Sequence, residues 1–410
     1  MSSDPSRAPA RLLHVLGAGP WQVPTVQLAQ AMGYRVLVSD MYRERPAYTI
    51  ADLHEVADIT DREATLAVAR RHHIDGVICD STDVGVPTAA YVAQTMGLPG
   101  MGLEVALNCT HKLRMRQLTA SSGLRFCAIR ELAQLPGAID AVGLPLVIKP
   151  ADNQAGRGVQ ILRQVDGAKQ AFERALALSR CGQVLLEQHL SGTELIVDGF
   201  VTDAEVQVLA VAVKSPYADN PTISACIHYP PVAELPVTLT ELQQAAQHTI
   251  TALGLRQGVF HAEFMAGEHG IVPIDVAARG GGVLIYRRVI PHVSGVDVNR
   301  AMIELALGQR PLIQPRSERR VAHIEFLRLP IGRVLAVLGL PAASAVADVA
   351  EIVFNVKAGD HVGPLHDKDQ RPGYIVALSD SSEAAIQACQ QAKALMQVRM
   401  DNFDEPVALT

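Results

Sequence analysis

Between Arg11 and Gly102 short apolar runs alternate with stretches of helical periodicity, and this alternation restricts the fold more than any other feature of the chain. RLLHVLGAG is an apolar run closed by glycines, a helical pattern follows from Pro24 to Met32, and YRVLVSD is a second short run ending at Asp40. DREATLAVARRHH is helical and leads into IDGVICD, after which PTAAYVAQTMG is helical again. Strands alternating with helices at this spacing predict an α/β unit built on a doubly wound parallel sheet. Glycine and proline around Leu98–Gly102 mark its end, so the unit is expected over residues 11–107.

From Asn108 the texture changes. A helix carrying Lys112, Arg114 and Arg116 precedes LPLVIKP, a continuous apolar strand that stops at Pro150. The loop DNQAGRGV joins it to VQIL; a helix is expected over about Asp166–Ser179, and QVLLEQHL reads as a strand. TELIVDGFV and EVQVLAVAV pair as antiparallel strands turning near Thr202–Asp203, a helix follows over Thr240–Leu253, and GVFHAEFM and GIVPIDVAAR form a hairpin turning at Gly267–Gly270. The tail carries strand patterns at VAHIEFLRL, AEIVFNV and GYIVALS, then a helix from about Ser382. This is an α+β layout, divided as 108–190, 191–318 and 319–410.

Composition narrows the partners. The chain has 410 residues, 49% hydrophobic and 19% charged, with a net charge of −6, which gives no basic surface for nucleic acid or anionic lipid. MSSDPSRAPA is polar and reads as a disordered leader without a signal-peptide core. The longest apolar stretch, Val334 to Ala347, is broken by Gly339, Pro341 and Ser344 and is too short for a membrane span, so a buried helix–turn is expected there. Six cysteines lie without close pairs, consistent with free thiols in a reducing cytoplasm.

Four local patterns carry chemistry. Gly17-Ala18-Gly19 begins like a dinucleotide fingerprint but lacks its third glycine, so a plain strand-to-helix turn competes with nucleotide binding. Lys149 ends a strand directly before a loop with Gly156, Arg157 and Gly158; a lysine and backbone N–H groups so placed can hold phosphate, although a structural hairpin has the same composition. Glu263 and Asp275 come to lie opposite one another if HAEFM and IDVAAR pair across the short turn. Two carboxylates at one spot are costly without a cation between them, and Mg²⁺ with phosphates is a usual tenant; a solvent-facing pair is the alternative. Glu187 and Glu194 flank a strand junction, where each could accept from adenine or ribose donors or simply face solvent.

In this order the pieces resemble the ATP-grasp superfamily, and within it the amino-acid ligase and carboxylate–amine ligase branch. GAGPWQVPTVQLAQAMGYRVLVSD and IDGVICDSTDVGVPTAAYVAQTMGLPG are similar to its pre-ATP-grasp domain. NCTHKLRMRQLTASSGL resembles its lysine-bearing helix, and LPLVIKPADNQAGRGV its second lysine and glycine-rich lid. The resemblance implies Lys112, Lys149, Gly156, Arg157 and Gly158 at the ATP phosphates. It implies Glu187, Gln188 and Leu190 at an adenine hinge, with Glu194 at the ribose. Lys214 in AVAVK is similar to a further nucleotide-facing lysine. FHAEF and PIDVAAR look like the magnesium strands, giving Glu263 and Asp275 as ligands for Mg²⁺ or Mn²⁺. The usual Glu-x-Asn is Asp275-Val276-Ala277 here, so the two-metal arrangement is incomplete. KAGDHVGPL and RPGYIVALSDSSEAAIQA resemble the closing segment of amino-acid ligases.

The activity implied is phosphorylation of a small-molecule carboxylate by ATP and attack of an amine on the acyl phosphate, with release of ADP and phosphate. Arg279 would stabilise the acyl phosphate, and Arg287 and Arg288 are candidates for a substrate carboxylate, against surface arginines. A purine-pathway type enzyme using bicarbonate or formate, and a non-catalytic nucleotide-binding homologue, are the competing functions. A cytoplasmic enzyme with no nucleic-acid or membrane partner is expected, with a homodimer as one possible assembly.

Overall fold

The computed structural model describes residues 10–154, 156–282 and 284–409. The leader, Ala155 in the glycine loop and Val283 beside the Gly280–Gly282 run lie, in whole or in large part, outside the described residues.

Four strands, β1 (Leu12–Leu16), β2 (Arg35–Asp40), β3 (Leu53–Val56) and β4 (Gly76–Ile78), form a parallel sheet in the order β3-β2-β1-β4. One face of β1 buries Leu12 and Leu16 against helices Arg62–His72 and Val86–Met96. The other buries Leu13 and Val15 against helix Val23–Ala31 and against Ile303 and Leu307 from far along the chain. Both faces are therefore covered, which is why the strands read as continuous apolar runs. The strand order reverses at β1 and β4, and the loops beyond their carboxyl ends form the crevice where open α/β sheets receive ligands. The Gly17–Gly19 turn uses its own donors locally: Ala18 donates to Asp40 at 3.1 Å and Gly17 to the Ser39 carbonyl at 2.8 Å.

A small antiparallel sheet follows, in which β5 (Phe126–Ile129), β6 (Leu146–Pro150), β7 (Gln160–Leu162) and β8 (Val184–Gln188) are ordered β5-β8-β6-β7. The strands β9 (Thr193–Thr202), β10 (Glu205–Tyr217), β11 (Asn220–Tyr229), β12 (Gly258–Gly267), β13 (Gly270–Ala277), β14 (Val321–Leu327), β15 (Gly332–Leu338), β16 (Val349–Phe354), β17 (His361–Val362) and β18 (Gly373–Ser379) complete most of the remainder. Eight of them make one large sheet, β13-β12-β9-β10-β11-β14-β18-β16. Helix Leu239–Leu253, opened by a Thr238–Glu241 capping box, packs on one face with Phe260 and Phe264. The opposite face buries Ile196, Phe200, Ile227 and Phe326 under the segment from Leu284 to Met302.

The apolar stretch from Val334 departs from expectation. Its first half is strand β15, and only Leu340–Ser344 is helical. Val334 is buried while Leu335 is 51% exposed, the alternation of a strand covered on one face. Gly339 then turns the chain with φ +78°, where any Cβ would strike the Leu395 carbonyl. The short strand β3, LHEV, and the two strands after the last helix, Gln397–Met400 and Val407–Ala408, had no sequence signal strong enough to find. No helix among the described residues is long and apolar enough to cross a membrane.

Candidate functional site

A cavity of about 580 Å³ lies between the crevice of the first sheet, the small sheet and the large one. Its lining includes eight Lys and Arg side chains against six Asp and Glu, an excess of two positive charges that suits an anionic ligand. The excess is assembled from different elements: a helix, two strands and several loops.

The β12–β13 hairpin supplies the carboxylates. Glu263 and Asp275 are direct register partners, and His261, Glu263 and Met265 share the face that lines the cavity. Each carboxylate is held by lysine. Asp275 accepts from Lys112 at 2.6 Å, and Glu263 accepts from Lys214 at 3.1 Å with Lys368 at 3.6 Å. Lys214 reaches Glu263 because β9 lies between β10 and β12; its own register partner is Glu194, with which it also pairs. Burial alone would raise both acids, but Lys214 and Lys368 hold Glu263 well below the usual carboxylate range, and Lys112 lowers Asp275. Burial likewise pulls on Lys112, and Asp275 outweighs it, leaving this lysine above its ordinary value.

The strand end at Glu187 is a second cluster. Helix Lys112–Leu118 places Arg116 one turn beyond Lys112, on the same side. Arg116 forks onto both oxygens of Glu187, at 2.6 and 3.2 Å, and donates its remaining groups to the Pro273 and Ile274 carbonyls of β13. Lys149 closes on the other side of Glu187 at 2.6 Å. Burial, with Arg116 and Lys112 nearby, outweighs Glu187 and brings Lys149 down to about 8. Gln188 takes Arg125 on its side chain, and the backbone N–H groups of Gln188 and His189 are bonded to Arg125 and Pro145 carbonyls.

Arg279, directly after β13, reaches into the crevice of the first sheet and forks onto Asp83 at 2.7 and 2.9 Å. A third N–H goes to the Gly280 carbonyl at 2.8 Å. A guanidinium has five donors, so among the described residues two are left for an incoming anion. Asp83 lies 196 residues away in sequence, and only its place after β4, at the switch point, could have pointed to it.

The loop after β6 folds over the cavity, with Gly156 and Arg157 in its lining and Arg157 paired to Asp369. Gly156 and Gly158 both have φ +73°. A Cβ on Gly158 would press on Pro150 and Leu178, whereas one on Gly156 would meet little; the left-handed backbone at both positions favours glycine. Of the residues singled out from sequence, Lys112, Lys149, Gly156, Arg157, Glu187, Gln188, Leu190, Glu194, Glu263, Asp275 and Arg279 line the cavity. Arg287 and Arg288 do not: both leave the π-helical turn Ile285–Val289 toward Glu351 of β16, at 3.2 and 3.7 Å. Sequence reasoning missed Asp83, Lys368 and Arg371, and it missed Arg116 as a partner of Glu187.

The donor set fits a hard cation. Glu263 and Asp275 offer only oxygen, and Mg²⁺ is commonly held by one or two carboxylates together with phosphates and water. Among the described residues no group of three or more His, Cys, Asp or Glu is gathered to cage a metal.

Known proteins resemble this chain in sequence and in fold. Residues 142–286 match the ATP-grasp domain family model. The formate-dependent phosphoribosylglycinamide formyltransferase of Synechococcus sp. (strain CC9902) is 30% identical over 403 residues, covering 92% of this chain and 97% of that protein. The chain belongs to the ATP-grasp family of ATP-dependent ligases. More particularly, residues 325–401 match the L-amino acid ligase C-terminal domain 2. The L-amino acid ligase of Bacillus licheniformis superposes with a TM-score of 0.79 at 19% identity, over 96% of this chain and 99% of that one. The alignment with the formyltransferase of Synechococcus sp. (strain CC9605), 29% identical, spans 49% of this chain and about half, 50%, of that relative.

Proposed function

We propose that this protein is a cytoplasmic ATP-dependent carboxylate–amine ligase that acts on amino acids through an acyl phosphate. The observation that carries the reading is the Glu263–Asp275 pair, faced by Lys112, Lys214 and Lys368 at the floor of a net cationic cavity. Lysines paired with carboxylates on flexible stems can exchange those partners for phosphate oxygens, which buried arginine forks do less readily.

In the first step a carboxylate oxygen of the substrate bonds to the γ-phosphorus of ATP and the bond to ADP breaks. In the second the amine nitrogen bonds to the acyl carbon, its proton is lost, and phosphate leaves with the oxygen that came from the acid. Lys112 and Lys149 bind the phosphates, and Lys214 with Glu194 orients the ribose end. Arg279, fixed by Asp83, aims its two free N–H groups at the acyl phosphate, where one fixed donor can be worth on the order of 10²–10³ in rate. The loop at Gly156–Gly158 excludes water that would otherwise hydrolyse the intermediate. Glu263 and Asp275 would hold Mg²⁺, which would supply positive charge against that building on the phosphoryl oxygens.

The C-terminal match supports amino acids as substrates, and the full-length relative named for formate and phosphoribosylglycinamide supports a second choice within the same chemistry. A screen of amino acids in pairs, run beside formate with phosphoribosylglycinamide and read as phosphate release, separates them. Phosphate release that needs two amino acids supports the proposal. Release only with formate and phosphoribosylglycinamide refutes the amino-acid assignment, and ATP binding without turnover on any pair refutes the ligase.

A further inference from the structure

The face of the large sheet turned away from the cavity carries a second polar cluster. On β11 and β14, His228 and His323 are register partners, and so are Cys226 and Glu325 two residues along. Helix Ser382–Leu395 packs over this face. The two imidazoles approach nitrogen to nitrogen: His228 Nδ1 lies 3.3 Å from His323 Nδ1, with ring centroids 5.3 Å apart.

The far nitrogen of each ring is already assigned. His323 Nε2 lies 3.3 Å from a carboxylate oxygen of Glu325, which can only accept, so Nε2 carries the proton. His228 Nε2 lies 3.1 Å from the Ser382 hydroxyl, and that hydroxyl donates its single proton to Glu234 at 2.7 Å. The hydroxyl therefore accepts from His228, whose proton also sits on Nε2. Both tautomers fixed this way leave two Nδ1 lone pairs facing one another, an arrangement relieved by a metal cation or by a proton shared between them.

Two metal–nitrogen bonds of about 2.0–2.1 Å at a tetrahedral angle put their nitrogens about 3.3–3.4 Å apart. A ligating histidine characteristically donates its other ring N–H to a carboxylate or an equivalent acceptor, which fixes its tautomer. Both histidines meet that description. We propose that His228 Nδ1 and His323 Nδ1 are two ligands of a divalent transition-metal site, of the class filled by Zn²⁺ or Cu²⁺, that clamps β11 to β14 on the face opposite the nucleotide cavity. No third His, Cys, Asp or Glu among the described residues completes the shell, so its remaining positions fall to water. Imidazole nitrogen favours these cations over Mg²⁺, and the site is chemically distinct from the all-oxygen pair at Glu263 and Asp275.

The full chain, stripped with chelator, is titrated with ZnCl₂ and with CuCl₂ by calorimetry, and the Cu²⁺ form is examined by electron paramagnetic resonance. The expected result is one equivalent bound with two nitrogen donors in the spectrum. His228→Ala, at a half-buried position, should weaken this binding at least about tenfold, since outer-shell changes alone cost roughly 10–100-fold. Glu263→Gln, in the other cavity, should leave it in place. As a check independent of folding, ¹⁵N resonance of the imidazoles should report both Nδ1 atoms unprotonated and metal-shifted on adding Zn²⁺. Equal binding by wild type and His228→Ala overturns the site, as does a proton found shared between the two Nδ1 atoms at neutral pH with no response to Zn²⁺.

Discussion

Two carboxylate clusters face the same cavity, and they are built in opposite ways. Glu187 is 4% exposed and gripped by an arginine fork whose other donors end on backbone carbonyls. Glu263 and Asp275 are held by lysines, and Asp275 keeps 39% of its side chain exposed. The first cluster ties helix Lys112–Leu118 and the small sheet to β13 as a fixed joint. The second is a set of exchangeable pairs. One cavity thus separates the charges that hold its walls from the charges that meet its ligand.

Removing Arg116 should break this contrast most severely. Arg116→Ala strands Glu187 beside Lys149 and orphans two carbonyls, and losing one partner of a buried pair costs about 3–5 kcal/mol. Urea unfolding should register that loss; a change under about 1 kcal/mol would mean the joint is not structural. Glu263→Gln is the counterpart. It should lower turnover by roughly 10²–10³ while costing less unfolding free energy than Arg116→Ala, because Lys214 keeps Glu194 as a partner. Turnover within a few-fold of wild type would remove Glu263 from the site.

Lys149 stands between the two clusters, and proton counting sharpens its part. Its pKa in the ligand-free protein is about 8 against 10.5 for a free lysine. Between those values the folded protein holds fewer protons than the unfolded chain, so this group's contribution to stability rises with pH across that window. Below pH 8 the lysine is already charged. Above it, ATP phosphates draw the proton back, so binding at pH 9 should take up a fraction of a proton that is absent at pH 7. Calorimetry in buffers of different ionisation heat reads this uptake, and Lys149→Met should abolish it; identical uptake in the variant would assign the proton elsewhere.

The smallest effect belongs to the partly exposed pair of Arg157 and Asp369. Asp369→Ala should change stability by less than about 1 kcal/mol yet speed hydrogen exchange across residues 156–158 in the nucleotide-free protein. Unchanged exchange would show that this pair does not hold the loop.

Legibility follows the same division. Period-two alternation and a short turn put Glu263 opposite Asp275 from sequence alone, and the register agrees. Lys112 and Lys149 were readable as charges at element ends. The Arg116–Glu187 joint and the Arg279–Asp83 fork were not, because their partners lie 71 and 196 residues apart and meet only when separate sheets dock. Alternation fixes a side chain's face, not which distant element will cover it. The apolar stretch at Val334 failed for the converse reason: its hydrophobic content suggested burial, but the separate sheet it forms with β17 and the two strands after the last helix leaves alternate side chains such as Leu335 exposed.

In this mechanism the acid's oxygen passes into phosphate. An amino acid labelled with ¹⁸O in its carboxylate, incubated with ATP, Mg²⁺, the protein and an accepting amine, should yield ADP and one ¹⁸O in each released phosphate per amide bond formed. Amide product formed with unlabelled phosphate, or with AMP and pyrophosphate, would contradict it.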